Sequence, residues 1–219
     1  MDSSNPACAK RKDQEAMTVT CKRTKFMATY QRQNFSMPDS VIFYVVKNPK
    51  TAELYLKMVK TCKYFFVKQP IIIVPNLRAG NGKWRCGEGP LNLIKYICKY
   101  WITGEIYATA SEFVDKNIFS PVIPKLYRCD VKCLSLSDQI ISYHDLSLII
   151  SSAEWIKFTN VIVKHSDNSD VPLEDIVSIA VNAKFVYVIK PTITSKTMKY
   201  LTKLLNFTKL DDLDLYNLS

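Results

Sequence analysis

Residues 131–137 read Val-Lys-Cys-Leu-Ser-Leu-Ser, and their apolar positions predict the fold of the second half of the chain. Val131, Leu134 and Leu136 follow one another at steps of three and then two positions. The same spacing occurs in three later segments: Phe158-Val161-Val163, Ala183-Val186-Val188 and Leu210-Leu213-Leu215. These segments recur about every 26 residues, a period typical of repeat proteins.

Apolar positions at helical spacing follow each of the first three segments. They are Leu146, Ile149, Ile150 and Ala153; Leu173, Ile176, Val177 and Ala180; and Met198, Leu201 and Leu205. A strand followed by a helix cannot bury both apolar faces alone, but stacked units can. The pattern therefore predicts an α/β fold over residues 104–219, a degenerate leucine-rich-repeat-like solenoid with a parallel sheet. An ordinary α/β sandwich is the alternative.

In such a solenoid, the strand residues between the buried positions face an open concave surface. This surface mixes aromatic, apolar and charged side chains, which suits a protein target better than a phosphate backbone. The predicted target-binding residues are Ser135, Ser137, Ile162, Lys164, Tyr187, Ile189, Asp212, Asp214 and Tyr216.

Two short helices joined by a proline turn are predicted upstream of the repeats. The first carries apolar residues from Val41 to Val46, and Asn48-Pro49 ends it because a residue before proline avoids helical geometry. Thr51 is a suitable N-cap for the second helix. One face of that helix is expected to carry Leu54, Met58, Cys62 and Phe65.

The remaining segments have weaker patterns. Residues 1–34 show no apolar periodicity and predict a disordered basic tail. Residues 71–103 predict a connector: a short strand at 71–74, a glycine-rich loop at 75–90, and a helix from Leu91 to about Trp101. Residues 119–126 predict a further helix with Phe119, Val122, Ile123 and Leu126 on one face.

The composition limits the class of protein. The chain has 219 residues, is 47% hydrophobic, and has a formal net charge of +10. Its seven cysteines resemble no disulfide framework and no secretory signal opens the sequence, so we expect a reduced location, cytoplasmic, nuclear or both. No apolar run approaches the ~20 residues of a membrane helix, so no membrane partner is expected. Lys10-Arg11-Lys12 is either part of a nuclear-import signal or a solvated cluster.

Residues that support catalysis are sparse. The two histidines, His144 and His165, fall in no motif. The Cys129 and Cys133 pair lacks the spacing and the second pair that zinc requires. We therefore expect no enzyme activity, no metal and no cofactor.

The stretch Met37-Pro38-Asp39-Ser40-Val41 through Thr61-Cys62-Lys63-Tyr64-Phe65 resembles an F-box, a short helical segment that binds the Skp1 adaptor. The resemblance covers residues 35–70, and the whole chain is similar to the divergent F-box proteins expanded in nematodes. It implies that the Skp1 contacts are Met37, Pro38, Val41, Val45, Leu54, Met58, Cys62 and Phe65.

This resemblance implies a substrate-recognition adaptor of an SCF-type ubiquitin ligase. The F-box would bind Skp1 and through it a cullin, and the repeats would hold an unidentified protein substrate. Two alternatives stay open: a basic nucleic-acid-binding module, which the scattered charge disfavours, and a protein-interaction module without a ubiquitin role. For the two helices themselves, the alternative is that they only cap the solenoid's N-terminal end.

Overall fold

The computed structural model describes residues 36–87, 89–92, 97–204 and 207–217. The chain divides into two units, Met1–Val45 and Val46–Ser219, which are described separately. The described residues form a mixed α/β protein with six α-helices and a mostly parallel central sheet.

Three short helices begin the described chain: α1 Asp39–Lys47, α2 Ala52–Thr61 and α3 Lys63–Lys68. The two predicted helix boundaries are confirmed, since α1 ends before Asn48-Pro49 and the Thr51 side chain accepts a 3.1 Å hydrogen bond from the Leu54 N–H.

The prediction that one helix continues from Leu54 to Phe65 is wrong. Cys62 has extended geometry with φ −148° and ends α2. Its Sγ accepts the Tyr64 N–H at 3.4 Å, so the same residue caps α3. A side chain that caps the next helix competes with continuation of the previous one.

Eleven strands follow: β1 Ile71–Gly80, β2 Lys83–Cys86, β3 Gly89–Pro90, β4 Lys99–Thr109, β5 Leu126–Cys129, β6 Cys133–Ser137, β7 Ile140–Ser142, β8 Trp155–Thr159, β9 Ile162–Lys164, β10 Phe185–Ile189 and β11 Asp212–Tyr216. The central sheet has the order β11-β10-β8-β6-β4-β1-β2-β3, and β5 pairs with β4. From β1 to β11 every neighbouring pair is parallel, and only β2 and β3 are antiparallel. A separate parallel pair joins β7 to β9.

Helices α4 Tyr143–Ile150, α5 Leu173–Ile179 and α6 Thr197–Leu201 connect the later strands. The main core combines apolar side chains from the strands and these helices, including Leu134, Ile156, Val186, Leu146, Val177 and Leu201. The three predicted helices are therefore confirmed. Met198 is 64% exposed and does not face the core, and Leu205 lies outside the described residues.

The predicted position of the second repeat strand is wrong by a few residues. We expected Phe158-Val161-Val163, but the strand is β8, whose Ile156 and Phe158 are buried. Ile156 pairs with both Leu134 and Val186 in the sheet. Both runs are apolar, and pairing with the neighbouring strands selects the earlier one.

The predicted loop at 75–90 is largely a β-hairpin. Strands β1 and β2 meet at Asn81 and Gly82, whose φ angles of 52° and 65° suit the tight turn that Asn-Gly favours. The predicted helix ending near Trp101 is wrong at its C-terminal end because β4 begins at Lys99; residues 93–96 lie outside the described part of the chain.

The helix predicted at 119–126 is also wrong. Only a short 3₁₀ turn, Ile123–Lys125, forms there before β5. Pro121 and Pro124 explain the difference, because proline removes a backbone donor and is poorly tolerated inside an α-helix.

Candidate protein-binding surfaces

Helix α1 leaves several apolar side chains in solvent. Met37, Val41 and Val45 are 53%, 43% and 39% exposed, whereas Ile42 and Val46 are buried. The Pro38 carbonyl, itself in an exposed residue, accepts the N–H groups of Val41 and Ile42 at 3.0 and 3.2 Å and starts the helix. Val41 and Val45 thus lie on the solvent side of α1, and Met37, also exposed, precedes the helix.

Helix α2 is anchored by a residue outside the predicted contact set. Tyr55 is buried and packs with Ile71 and Trp101 in a small second core. Its hydroxyl donates to the Gln69 carbonyl at 2.7 Å and accepts the Ile71 N–H at 3.1 Å. Burial raises the pKa of the Tyr55 hydroxyl. An apolar ring with a polar tip amid aliphatic neighbours was the sequence signal for this anchor.

Leu54 lies beside that anchor and points away from it, with 43% of its side chain exposed. Met58, Cys62 and Phe65 are half-buried, so the predicted contact residues of α2 and α3 differ in accessibility. Lys63, the first residue of α3, is exposed.

A groove lies on the face of the central sheet opposite the main core. Its volume is about 380 Å³, and its outward-facing lining side chains are Cys133, Ser135, Trp155, Lys157, Phe185, Tyr187, Asp212 and Asp214. Four of the predicted target-binding residues are brought together there: Ser135, Tyr187, Asp212 and Asp214.

The other predicted target-binding residues lie elsewhere. Ser137, Ile189 and Tyr216 share one row at the C-terminal ends of the strands, where Thr159 joins Ser137 to Ile189. Ile162 and Lys164 belong to β9 in the two-stranded sheet, so their predicted place on the central sheet is wrong. The register error explains this, because β8 supplies Trp155, Lys157 and Thr159 instead.

Aromatic rings form much of the groove wall. The Trp155 and Phe185 rings stack with centroids 4.0 Å apart and an interplanar angle of 25°. The Lys157 ammonium lies 5.2 Å from the centroid of the Tyr187 ring, within cation–π range. Trp155, Lys157 and Phe185 were missed at the sequence level, although the alternation in Trp155-Ile-Lys-Phe-Thr is a strand signal.

A charge ladder fixes the N-terminal ends of the same strands. Glu154 binds the ammonium groups of both Lys132 and Lys184, the latter at 2.7 Å. Hydrogen bonds from Lys132 and then Lys184 lower the pKa of Glu154 to about 2. Lys132, Glu154 and Lys184 directly precede β6, β8 and β10, so these ion pairs connect the N-terminal ends of the strands that form the groove walls.

A second, basic groove of about 510 Å³ lies near α3 and the start of β4. Its lining includes Lys47, Lys68 and Lys99. The Tyr127 hydroxyl donates to the Lys47 carbonyl at 3.0 Å, and the Gln69 amide donates to the same carbonyl at 3.4 Å.

Two of the described cysteines and both histidines lie in different surroundings. Burial raises the pKa of the Cys129 thiol to about 12 and also raises that of Cys133, which keeps both protonated near neutral pH. His144 is exposed at the start of α4, and the His165 ring packs 5.4 Å from that of Tyr143.

Two kinds of feature are absent from the described residues. No cluster of three or more His, Cys, Asp or Glu side chains there is placed to hold a metal ion. No helix in the same ranges has the length and apolar character needed to cross a membrane.

Comparison with known proteins found no similar family or fold: no family model, no curated protein and no solved structure matches this chain.

Proposed function

We propose that this chain is a substrate-recognition adaptor of an SCF-type ubiquitin ligase. Helices α1 and α2 bind a Skp1-like adaptor, which connects the chain to a cullin. The open face of the central sheet holds a protein destined for ubiquitination. The chain itself performs no chemistry and acts in the cytoplasm, the nucleus or both.

The observation that carries this proposal is the exposed apolar set on two successive short helices. Val41 on α1 and Leu54 on α2 are each 43% exposed. Apolar side chains left in solvent on short helices are typical of interfaces, and a helix docked in a partner's groove is a common arrangement. These are positions that the F-box resemblance assigns to adaptor contact.

The packing of α2 argues against the alternative in which the two helices do nothing except cap the sheet. Tyr55 contributes to the small core with Ile71 and Trp101, so α2 does cover part of the sheet. Leu54 and Leu56, 43% and 40% exposed, lie outside that core. One side of α2 thus packs against the sheet while other apolar side chains remain accessible.

The strand order supports the second half of the proposal. Strands β4, β6, β8, β10 and β11 neighbour one another in chain order in the central sheet, as expected when similar units stack in succession. The outward face of these strands carries the aromatic groove, and exposed aromatic side chains are enriched in protein interfaces.

Co-elution of the purified chain with Skp1 on a sizing column tests the proposal. Val41→Asp and Leu54→Asp should each abolish co-elution, because a charge at an apolar contact must be desolvated. Leu148→Asp is the matched control, since Leu148 is 40% exposed on α4 and lies outside the proposed contact. Loss of co-elution in the control as well, or retention in both test variants, would contradict the assignment of the surface.

Nucleic-acid binding is the second candidate, and the basic groove is the observation that favours it. Lys68 and Lys99 line that groove on a chain of formal net charge +10. If phosphates bind there, affinity for a short duplex should fall steeply with salt, and Lys68→Gln/Lys99→Gln should reduce the salt slope by about 2. An unchanged slope would exclude the groove as a phosphate site.

A further inference from the structure

We propose that the groove on the sheet face takes a lysine or arginine side chain from an extended segment of the target protein. The inference names the chemistry of the target and rests on the proposed function, in which this face holds a protein. Its support comes from the shape of the groove, its aromatic wall and the charge at its edge.

The groove is large enough for a long side chain and open enough for the backbone that carries it. Its volume of about 380 Å³ lies at the lower end of the ~300–1,000 Å³ range typical of ligand pockets. Its lining residues come from four neighbouring parallel strands, β6, β8, β10 and β11, which makes the groove run across the strands.

The aromatic wall suits the stem of a cationic side chain. Trp155 is 54% exposed and stacks on Phe185, so its ring presents apolar surface to solvent. The Lys157 ammonium lies over Tyr187, so one ring of this wall already packs against a cation of the chain itself. Lysine and arginine cover apolar surface with their stems while their charged heads reach polar groups.

The edge of the groove supplies the opposite charge. Asp212 pairs directly with Phe185 in the sheet, and Asp214 pairs with Tyr187. Neighbouring strands lie ~4.8 Å apart, so a cation on either ring is within reach of a carboxylate on the next strand. Both aspartates are exposed, and neither forms an ion pair within the described part of the chain.

One row of paired residues on the sheet face runs from an aspartate at one edge to arginines near the other. The row containing Asp214, Tyr187 and Lys157 continues through Ser135 and Tyr107 to Arg78 on β1, which pairs with Arg85 on β2. A segment crossing these strands would place its basic end at the aspartates and any acidic end near the two arginines.

The length of that segment follows from the strand spacing. β1 and β11 are five strand steps apart, or about 24 Å at ~4.8 Å a step. Seven or eight extended residues cover about that distance. A nucleic acid fits less well, because Asp212 and Asp214 repel phosphates at the edge of the aromatic wall.

Selection of random octapeptides displayed on phage against the full chain tests this inference. The selected peptides should be enriched in lysine or arginine beside an apolar residue. Fluorescence anisotropy then measures the affinity of labelled synthetic copies of these peptides. Asp212→Asn/Asp214→Asn removes the charge-assisted contact and Trp155→Ala removes the aromatic surface under the stem. Each should weaken the affinity about tenfold or more. Glu112→Gln, which removes an exposed carboxylate elsewhere, is the matched control and should bind as the native chain does.

Several outcomes would overturn the inference. Selected peptides of acidic composition would do so, and so would the selection of no peptide. Peptides that bind the native chain and the Asp212→Asn/Asp214→Asn variant equally well would also overturn it. So would a labelled octauridylate that binds the native chain but not Trp155→Ala. The aspartate variant changes no side-chain volume appreciably, and its circular dichroism spectrum distinguishes lost binding from lost folding.

The same proteins separate this inference from the proposed function. Both groove variants should still co-elute with Skp1, because the groove residues are not among the proposed adaptor contacts. Basic octapeptides bound in the groove without any Skp1 complex would contradict the ubiquitin role and leave the groove assignment standing. A Skp1 complex with selection of acidic peptides would contradict only the groove assignment.

Discussion

A residue with left-handed backbone geometry follows each of the four strands that carry the repeat. Asp138, Asn160, Lys190 and Asn217 have φ angles of 55°, 54°, 58° and 54°. The Asn160 amide donates to the Asp138 carboxylate at 3.0 Å, which ties two successive turns together. Asparagine and aspartate tolerate this geometry better than other side chains that carry a Cβ, and Lys190 is the exception in the series.

Replacing Lys190 with asparagine should stabilise the chain. The backbone already has the geometry that asparagine prefers, and the Lys190 N–H donates to the Tyr216 carbonyl at 2.9 Å without using the side chain. We expect Lys190→Asn to raise the free energy of unfolding by about 0.5–1 kcal/mol, measured by urea denaturation. Lys190→Ala keeps the conformational cost and should bring no such gain; equal stabilisation by both variants would contradict the explanation.

Glu154 makes stability depend on acid pH. Its pKa is lowered to about 2 in the folded chain, mainly by its hydrogen bond from Lys132, whereas a glutamate in an unfolded chain titrates near ~4.3. The stabilisation is therefore complete above the unfolded pKa and is lost as the pH falls toward 2.

Glu154→Gln should reduce stability at pH 7 and have progressively less effect between about pH 4.5 and pH 2. Urea denaturation of both proteins across this range measures the difference. In a Lys132→Met/Lys184→Met background, which removes both partners, the pH-dependent part should disappear. A difference that stays constant with pH would mean that Glu154 acts through packing and not through its charge.

At the scale of the elements, the hydrogen-bonded ring of Tyr55 attaches α2 to its neighbours. The Tyr55 hydroxyl connects α2 to the Gln69 carbonyl after α3 and to the Ile71 N–H at the start of β1. It therefore joins three consecutive elements at one buried point.

Tyr55→Phe should lower the free energy of unfolding by about 1–3 kcal/mol, because removal of the hydroxyl leaves buried backbone groups without that partner. Urea denaturation measures the loss. Tyr107→Phe is the control: Tyr107 is 54% exposed on β4, and its substitution should leave stability unchanged. Equal effects of the two substitutions would contradict the anchoring role.

The local signals in the sequence predicted most elements but not their pairing. The proline turn and the Thr51 cap gave the ends of α1 and the start of α2, because caps and proline act within a few residues. The position of β8 required the neighbouring strands, since residues 156–158 and 161–163 offer equivalent apolar patterns. Pairing between distant strands is a tertiary choice that a local pattern does not specify.

The hairpin at Asn81-Gly82 could have been predicted. Asn-Gly between alternating apolar residues is a strong local signal for a tight hairpin turn. The many glycines in residues 75–90 favoured the prediction of a loop instead. The groove residues likewise divide into those that the sequence predicted and those that required the structure. Ser135, Tyr187, Asp212 and Asp214 came from correctly placed strands, while Trp155, Lys157 and Phe185 needed the observed positions of the strand faces.

For the whole molecule, the proposal assigns separate surfaces to separate partners. In that proposal, the adaptor binds the exposed apolar residues of α1 and α2, and the target binds the aromatic groove with its acidic edge. The positive net charge does not describe the groove, whose edge is acidic. Overall charge therefore says little about which partner this face prefers.

Isothermal titration of Skp1 into the full chain tests the central claim most directly. We predict a complex of one Skp1 with one chain and a dissociation constant in the micromolar range or tighter. The absence of any binding at micromolar concentrations, with a chain shown to be folded by circular dichroism, would contradict the assignment as an F-box adaptor.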